Sequence, residues 1–256
     1  MKTKKCTLEY DGTHYEGWQS QKQGRTIQGM LQLAVSAVTQ EQRVCVTGAS
    51  RTDAGVHALG QVAGFKTRSV LSNPVLCRAI NAHLPKDIRV RRIEEAPDEF
   101  NPRFDAKGKT YVYVIANTGE PPFFIRPYVW SIRLPLNYEA MEQGLCSVVG
   151  EMDFSAFRAS GCGAKHPVRT ISQVELAFTK SLDFMTIPYE IPLITIRITG
   201  QSFLRHMVRN IVGTLVQVGQ GRLQPDDIGR ILAQRDRRLA GPTAPASGLF
   251  LEKITY

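Results

Sequence analysis

Residues 44–65 read Val-Cys-Val-Thr-Gly-Ala-Ser-Arg-Thr-Asp-Ala-Gly-Val-His-Ala-Leu-Gly-Gln-Val-Ala-Gly-Phe, two apolar stretches with a charged loop between them. Residues 44–47 predict one strand, and the alternation over residues 61–65 predicts the next. The loop carries Arg51 and Asp53 with one residue between them, and Gly55 follows. A rigid pair of strands can present such side chains for catalysis. The residues alone leave a second interpretation open, an ordinary polar turn with a surface ion pair.

The elements around this stretch predict a ferredoxin-like half. A strand with alternating apolar residues ends near Tyr10, and Thr26 can cap the helix that follows it. Asn73-Pro74 predicts the N-cap and first residue of a second helix, and residues 87–94 predict a closing strand. The resulting order, β-α-β-β-α-β, is that of the split βαβ arrangement. We therefore predict a first domain over residues 1–104, ending in a polar, proline-containing link.

The remaining residues, 105–256, predict a second half with the same order and some insertions. The predicted elements are a strand at 111–115, a helix at 138–149, strands at 171–178 and 193–199, a helix beginning at Leu204, a short helix after Pro225, and a last strand at 249–254. The predicted fold class is α+β. Two ferredoxin-like halves form a mixed sheet with helices on one face and a basic cleft between them.

Charge and composition restrict the partners. The 256 residues contain 32 Lys and Arg against 23 Asp and Glu, a formal net charge of +9, which favours a polyanionic partner such as nucleic acid. No apolar run approaches the length of a membrane span. The five cysteines are scattered and odd in number, which is typical of reduced thiols in a cytoplasmic protein.

Motifs for common cofactors do not occur in the sequence. It contains no phosphate loop, no dinucleotide-binding glycine motif, and no nucleophile elbow. Cys162 and His166 have a tolerable spacing for a metal, but no second Cys/His pair accompanies them, so we reject a zinc site. A reaction without nucleotide cofactor, metal or redox group remains.

Three further residues are candidates for contact with nucleic acid. Tyr111 lies on a predicted strand after Lys107 and Lys109 and could stack on a base, although a core tyrosine would show the same pattern. Arg205 and Arg209 are four apart on the predicted helix and could project together toward a phosphate, although a solvated basic edge would do the same.

The stretch from Arg51 to Ala58 resembles the signature of the tRNA pseudouridine synthase I (TruA) family. Segments similar to that family in order and spacing cover essentially the whole chain: Tyr10-Asp-Gly12, Gly17-Trp-Gln19, Asn81-Ala-His-Leu-Pro85, Arg103-Phe104, Lys109-Thr-Tyr-Val-Tyr113, Phe154-Ser-Ala-Phe-Arg158, Met207-Val-Arg-Asn-Ile-Val-Gly213 and Gly248-Leu-Phe-Leu251. The family usually has glycine where Ser50 stands. If that glycine needs a positive φ, serine would cost stability there.

The resemblance implies an enzyme that isomerises uridine to pseudouridine at positions 38 to 40 of the tRNA anticodon stem-loop. It implies two ferredoxin-like halves with a positively charged cleft, a homodimer and no cofactor. Asp53 matches the catalytic nucleophile, and attack on C1′, addition to C6 and removal of a ribose proton all stay open as its role. Arg51 is expected to fill the space of the flipped base or to contact phosphate.

The resemblance also implies roles for residues outside this triplet. Tyr111 matches the active-site tyrosine and would stack on the flipped base, and Arg209 would pair with Asp53. Arg205 and His57 are weaker candidates for substrate contact. Two rivals remain at this point: an RNA-binding module without catalysis, and an RNA N-glycosidase that releases uracil. The carboxylate of Asp53 argues against the first, because a negative charge in the central loop repels phosphate.

Overall fold

The computed structural model describes residues 1–184 and 186–256. Its strands are β1 (Lys2–Tyr10), β2 (Val46–Gly48), β3 (His57–Thr67), β4 (Ile88–Ala96), β5 (Gly108–Ala116), β6 (Trp130–Ser131), β7 (Gly150–Asp153), β8 (Val168–Thr179), β9 (Leu182–Phe184), β10 (Ile187–Tyr189), β11 (Leu193–Gly200) and β12 (Leu249–Thr255). Its α-helices are α1 (Ile27–Thr39), α2 (Asn73–His83), α3 (Tyr138–Cys146), α4 (Met207–Gly219) and α5 (Asp227–Gln234). This content confirms the predicted α+β class.

The chain forms two compact units with boundaries that differ from the predicted ones. The first unit comprises Met1–Lys109 together with Phe250–Tyr256, and the second comprises Thr110–Leu249. The last strand was predicted in the second half, over residues 105–256. Most of it belongs instead to the first unit, because β12 pairs in parallel with β3 through Phe250 opposite His57. Strand pairing between distant segments leaves no mark in the local sequence pattern.

The first unit has the strand order of a split βαβ domain. Strand β1 lies between β4 and β3 and is antiparallel to both. Strand β2 pairs antiparallel with one end of β3, at Val46 opposite Phe65, and β12 pairs in parallel with the other end. The sheet of this unit is therefore mixed. The loop of residues 49–56 leaves β2 and enters β3 at the centre of this arrangement.

The helices of the first unit begin near the predicted residues. Thr26 caps α1 as predicted, with its hydroxyl accepting from the Gly29 amide at 3.3 Å. The N-cap of α2 is Ser72, so the prediction of Asn73 as N-cap is wrong by one residue. Asn73 is the first helical residue, and its side chain accepts from Lys4 Nζ at 2.7 Å. Lys4 is only 2% exposed, so a tertiary hydrogen bond takes the side chain that could otherwise cap the helix.

The second unit follows the predicted order with added strands. Its sheet runs β5-β11-β8-β7, and β6 lies parallel to β5. Helix α4 begins at Met207 and not at Leu204. The residue before Met207, His206, has a left-handed backbone with a φ of +60°, so the helix does not extend to Leu204. Within the described residues, none of the helices combines the length and apolar character needed to cross a bilayer.

Candidate active site

The loop between β2 and β3 is held by Thr52, which points inward. Thr52 is 6% exposed, and its hydroxyl lies 2.8 Å from the buried Tyr10 hydroxyl. Its carbonyl accepts from the Trp18 amide at 3.0 Å. The two neighbours of Thr52 therefore face the other way: Arg51 is exposed and Asp53 is half-buried. A single anchored residue thus presents both polar side chains outward.

Two glycines allow the loop to pack against the segment that follows β1. Gly17 has a φ of +91°, and a Cβ there would lie 2.6 Å from the Thr52 carbonyl oxygen. Gly55 has a φ of +76°, and its amide donates to the Tyr15 carbonyl at 3.2 Å. The next amide, that of Val56, donates to the Asp53 carbonyl at 3.2 Å and closes a tight turn around Asp53. The segment from Tyr10 to Gln19 therefore supports the loop.

Ser50 replaces the family's usual glycine without backbone strain. The non-glycine residues with positive φ among those described are Gln40, His206 and Arg235, so Ser50 does not need the freedom of glycine. Both backbone groups of Ser50 bond to the Gln61 side chain, the amide at 3.2 Å and the carbonyl at 2.8 Å. Gln61 is fully buried. Sequence reasoning missed this residue, because a glutamine in a strand gives no signal of its partner.

Lys109 is a second support that the sequence did not reveal. Its ammonium donates to the Ala49 carbonyl at 2.7 Å, and the residue is 8% exposed. Burial, with a smaller contribution from the charge of Arg103, lowers the pKa of Lys109 to about 8. The amine thus holds the start of the loop at Ala49, two residues before Arg51.

The guanidinium of Arg51 is available to a ligand. It makes no hydrogen bond or ion pair with any residue of the described ranges, 1–184 and 186–256. The alternative of a surface turn closed by an Arg51–Asp53 ion pair therefore does not match the structure. An exposed cation beside a half-buried carboxylate, on a loop with fixed backbone, can bind a phosphate while the carboxylate reaches the sugar.

His57 is buried at the start of β3, directly after the loop. It is 1% exposed, and its ring stacks on Phe250 with centroids 4.7 Å apart. Its Nδ1 accepts from the Gly12 amide at 3.1 Å and lies 3.1 Å from Asp11 Oδ1. Asp11 Oδ1 also accepts from the amide and the hydroxyl of Thr13. The predicted contact of His57 with substrate stays a prediction.

The other predicted site residues belong to the second unit. Tyr111 is 6% exposed in β5, and its ring lies nearly perpendicular to that of Phe203, with centroids 5.2 Å apart. Arg209 lies in the first turn of α4, and its Nε donates to the Ala244 carbonyl at 2.7 Å. Arg205 is exposed in the turn before α4. The predicted pairing of Arg205 and Arg209 on one helical face is wrong, since only Arg209 is helical.

A buried polar network positions Arg209 and was not predicted. Asn210 is fully buried, and its amide nitrogen donates to the Phe157 carbonyl at 2.8 Å. Its carbonyl oxygen accepts from Arg237 at 3.1 Å and from Thr243 at 2.6 Å. These bonds fix the segment that leads to Ala244, the partner of Arg209. The sequence signal was the polar Asn210 on an otherwise apolar helix face.

The described residues contain no group of three or more His, Cys, Asp or Glu placed to hold a metal ion. All five cysteines are free, Cys6 being buried and Cys45 and Cys146 exposed. The loop of the first unit supplies a half-buried carboxylate and an exposed guanidinium, and the second unit, described by itself, supplies a buried tyrosine and a half-buried guanidinium. A positioned carboxylate suits acid–base or nucleophilic chemistry.

Comparisons with known proteins are consistent across the chain. A family described as tRNA pseudouridine synthase matches residues 7–105 and 146–256. A protein of Acetivibrio thermocellus named tRNA pseudouridine synthase A is 42% identical over 256 residues, which are 100% of both chains. A protein of the same name from Thermoanaerobacter sp. is 44% identical, again over 100% of both.

Solved structures give a more distant similarity. One described as the archaeal box H/ACA sRNP Nop10–Cbf5 complex is 10% identical, with 93% of this chain and 59% of that chain covered. Its TM-score of 0.34 is too low to support any argument about the fold.

Proposed function

The chain belongs to the tRNA pseudouridine synthase family, and we propose that it isomerises uridine to pseudouridine at positions 38 to 40 of the tRNA anticodon stem-loop, with Asp53 as the catalytic nucleophile. The reaction breaks the C1′–N1 bond, turns the uracil, and joins C5 to C1′; the hydrogen at C5 leaves as a proton to solvent, and N1 takes up a proton in its place. Atoms balance without an oxidant or reductant. The observation that carries the proposal is the anchored loop, with Thr52 buried and Asp53 held in a closed turn.

Arg51 is the proposed contact with the RNA backbone at the target nucleotide. A uridine in a helical stem must leave the stack to react, at a cost of a few kcal/mol. An exposed guanidinium with no hydrogen bond or ion pair to the described residues can offset part of this cost by binding phosphate or by occupying the vacated space. In this proposal Arg51 stabilises the flipped state of the substrate, and Asp53 acts on it.

Tyr111 and Arg209 are proposed to act in the same reaction. The ring of Tyr111 is held by its perpendicular contact with Phe203, so base stacking on Tyr111 would cost little side-chain entropy. Arg209 is fixed through Nε to the carbonyl of Ala244, and the buried network holds the preceding residue, Thr243. Arg205 is proposed to touch phosphate only.

Replacement of Asp53 is the decisive test. In Asp53→Asn we expect tRNA affinity within about threefold of wild type and no turnover, because the amide keeps the shape but not the charge of a nucleophile. Release of tritium from C5-labelled uridine in tRNA measures turnover, and chemical mapping of pseudouridine locates the product. Substantial tritium release by the variant would remove Asp53 from its role. Free uracil in place of pseudouridine would identify an N-glycosidase instead.

Arg51→Ala separates a catalytic contact from a plain phosphate contact. We expect the loss in turnover to exceed the loss in binding, since flipping is needed for reaction more than for docking. Equal losses in both would mark Arg51 as a phosphate contact alone.

A homodimer acting in the cytoplasm is part of the proposal. The family resemblance supports the dimer, and the five free cysteines support a reducing compartment. Sedimentation equilibrium of the purified chain tests the dimer, and a single species of monomer mass would contradict it.

A further inference from the structure

A cavity of about 460 Å³ opens in the second unit at the N-terminal end of α4. Its polar lining residues are Ser160, Arg205, His206, Asn210, Arg237 and Thr243. Two of these are arginines, and none is an acid. No aromatic six-membered ring lines the cavity, so its chemistry suits an anion better than a stacked base.

Two of the three chain segments that line the cavity are devoid of acidic residues. Neither residues 154–174 nor residues 191–225 contain an Asp or Glu. The two segments meet at Arg205, whose carbonyl accepts from the Ala159 amide at 3.1 Å and whose amide donates to Cys162 Sγ at 3.5 Å. The positive charge of Arg205 is thus not offset by carboxylates from these two segments, which favours an anion in the cavity.

Arg205 has a fixed backbone and an available side chain. Both of its backbone groups are bonded to the loop at residues 159–162. Its guanidinium is exposed and makes no hydrogen bond or ion pair within the described part of the chain. The Ser160 hydroxyl beside it is likewise exposed and makes no hydrogen bond to a described residue. A ligand would therefore meet donors whose backbone is already ordered.

Arg237 adds a positive charge that is not paired with a carboxylate of the described residues. Its two terminal nitrogens donate to neutral acceptors only: the side chains of Asn210 and Thr243 and the carbonyls of Ala240 and Gly241. The adjacent acid, Asp236, bonds Arg238 through both carboxylate oxygens, at 3.0 and 2.6 Å. A half-buried guanidinium held by neutral groups favours a nearby anion, because its charge is only partly solvated.

We propose that this cavity binds one backbone phosphate of the tRNA substrate, with Arg205 donating to the phosphate oxygens and Arg237 supplying a fixed charge. The proposal rests on the proposed function, which makes tRNA the polyanion. Neutralising one phosphate releases condensed counterions, so each such contact contributes about 0.7 to 0.9 to the slope of log affinity against log salt concentration.

The salt dependence of RNA binding tests the cavity. Anisotropy of a labelled anticodon stem-loop RNA is measured between about 50 and 300 mM KCl. For Arg205→Gln we expect the magnitude of the slope to fall by about 0.7 to 0.9, the contribution of one phosphate contact, and Kd at low salt to rise roughly 5- to 10-fold. Arg222→Gln is the matched control: it removes the same charge from an exposed site after the other end of α4, and its slope should equal that of wild type. Equal behaviour of the two variants would overturn the proposal.

Two further measurements identify the ligand. Arg205→Lys keeps the charge and should keep most of the slope, and a loss as large as that of Arg205→Gln would overturn the proposal. Thermal shift with inorganic phosphate tests a free anion as the true ligand. Stabilisation of wild type but not of Arg205→Gln, with no difference in RNA slope, would assign the cavity to free phosphate and overturn the RNA site.

The failure of this site and that of the proposed function are distinguishable. Tritium release by the wild-type protein reports the reaction without reference to Arg205. Turnover with no slope difference between Arg205→Gln and Arg222→Gln would overturn the cavity alone, whereas no turnover by wild type would overturn the proposed function.

Discussion

Replacing Gly17 by alanine should displace the catalytic loop. Gly17 has a φ of +91°, a conformation that costs an L-residue about 1–3 kcal/mol. The added methyl would also lie 2.6 Å from the Thr52 carbonyl oxygen, where backbone must move by several tenths of an ångström. We expect the free energy of unfolding to fall by roughly 2–4 kcal/mol, which lowers Tm by about 5–12 °C.

The displacement should reach the chemistry, because Thr52 immediately precedes Asp53. Misplacing a reacting group by about 1 Å can cost 100-fold in rate, so a shift of several tenths of an ångström should lower kcat by roughly 10-fold or more. Tritium release at saturating tRNA measures kcat, and anisotropy should give a Kd within about threefold of wild type. Both are measured well below the lowered Tm, so that unfolding does not enter.

Gly229→Ala is the matched control for Gly17→Ala. Gly229 lies in α5, has no positive φ, and has no atom within 4 Å of an added Cβ. Alanine there should stabilise the helix by about 0.5–1 kcal/mol and leave kcat unchanged. A Gly17→Ala protein with the Tm and kcat of wild type would refute the reasoning. A lowered Tm with unchanged kcat would refute its second half, the link from Gly17 through Thr52 to Asp53.

Three further predictions concern buried polar groups. Thr52→Val and Tyr10→Phe should each lower the free energy of urea unfolding by about 1–3 kcal/mol, and the double variant by about 1 kcal/mol less than the sum, because the two hydroxyls bond each other; strictly additive losses would contradict this. Asn210→Ala removes three side-chain hydrogen bonds and should lower the same quantity by roughly 2–5 kcal/mol, whereas a loss below about 1 kcal/mol would show that the network adds nothing to stability. Burial lowers the pKa of Lys109 from 10.5 to about 8, so the unfolded chain binds more protons than the folded chain between those pH values. The Tm of wild type relative to that of Lys109→Met should therefore rise from pH 8 toward 10.5. A Tm difference that does not change with pH would contradict the lowered pKa.

The split βαβ order of the first unit follows from local patterns. Thr26, followed by apolar residues spaced three and four apart, predicted α1. The alternation of apolar and polar residues after residue 60 predicted β3. Boundaries were less accurate where a tertiary contact competes with a local preference. Asn73 bonds Lys4 instead of capping α2, and the left-handed His206 delays the start of α4.

The sequence by itself determined the fold class, the basic character, and the family through the triplet around Asp53, because strand alternation, helix caps and contiguous motifs are local properties of the chain. Tertiary structure alone decided that Gln61 and Lys109 hold the loop, that His57 is buried beneath it, and that β12 joins β3. It also decided that Arg205 stands apart from the helix of Arg209. Each of these depends on a contact between residues far apart in the chain, and such contacts form only when the backbone has folded.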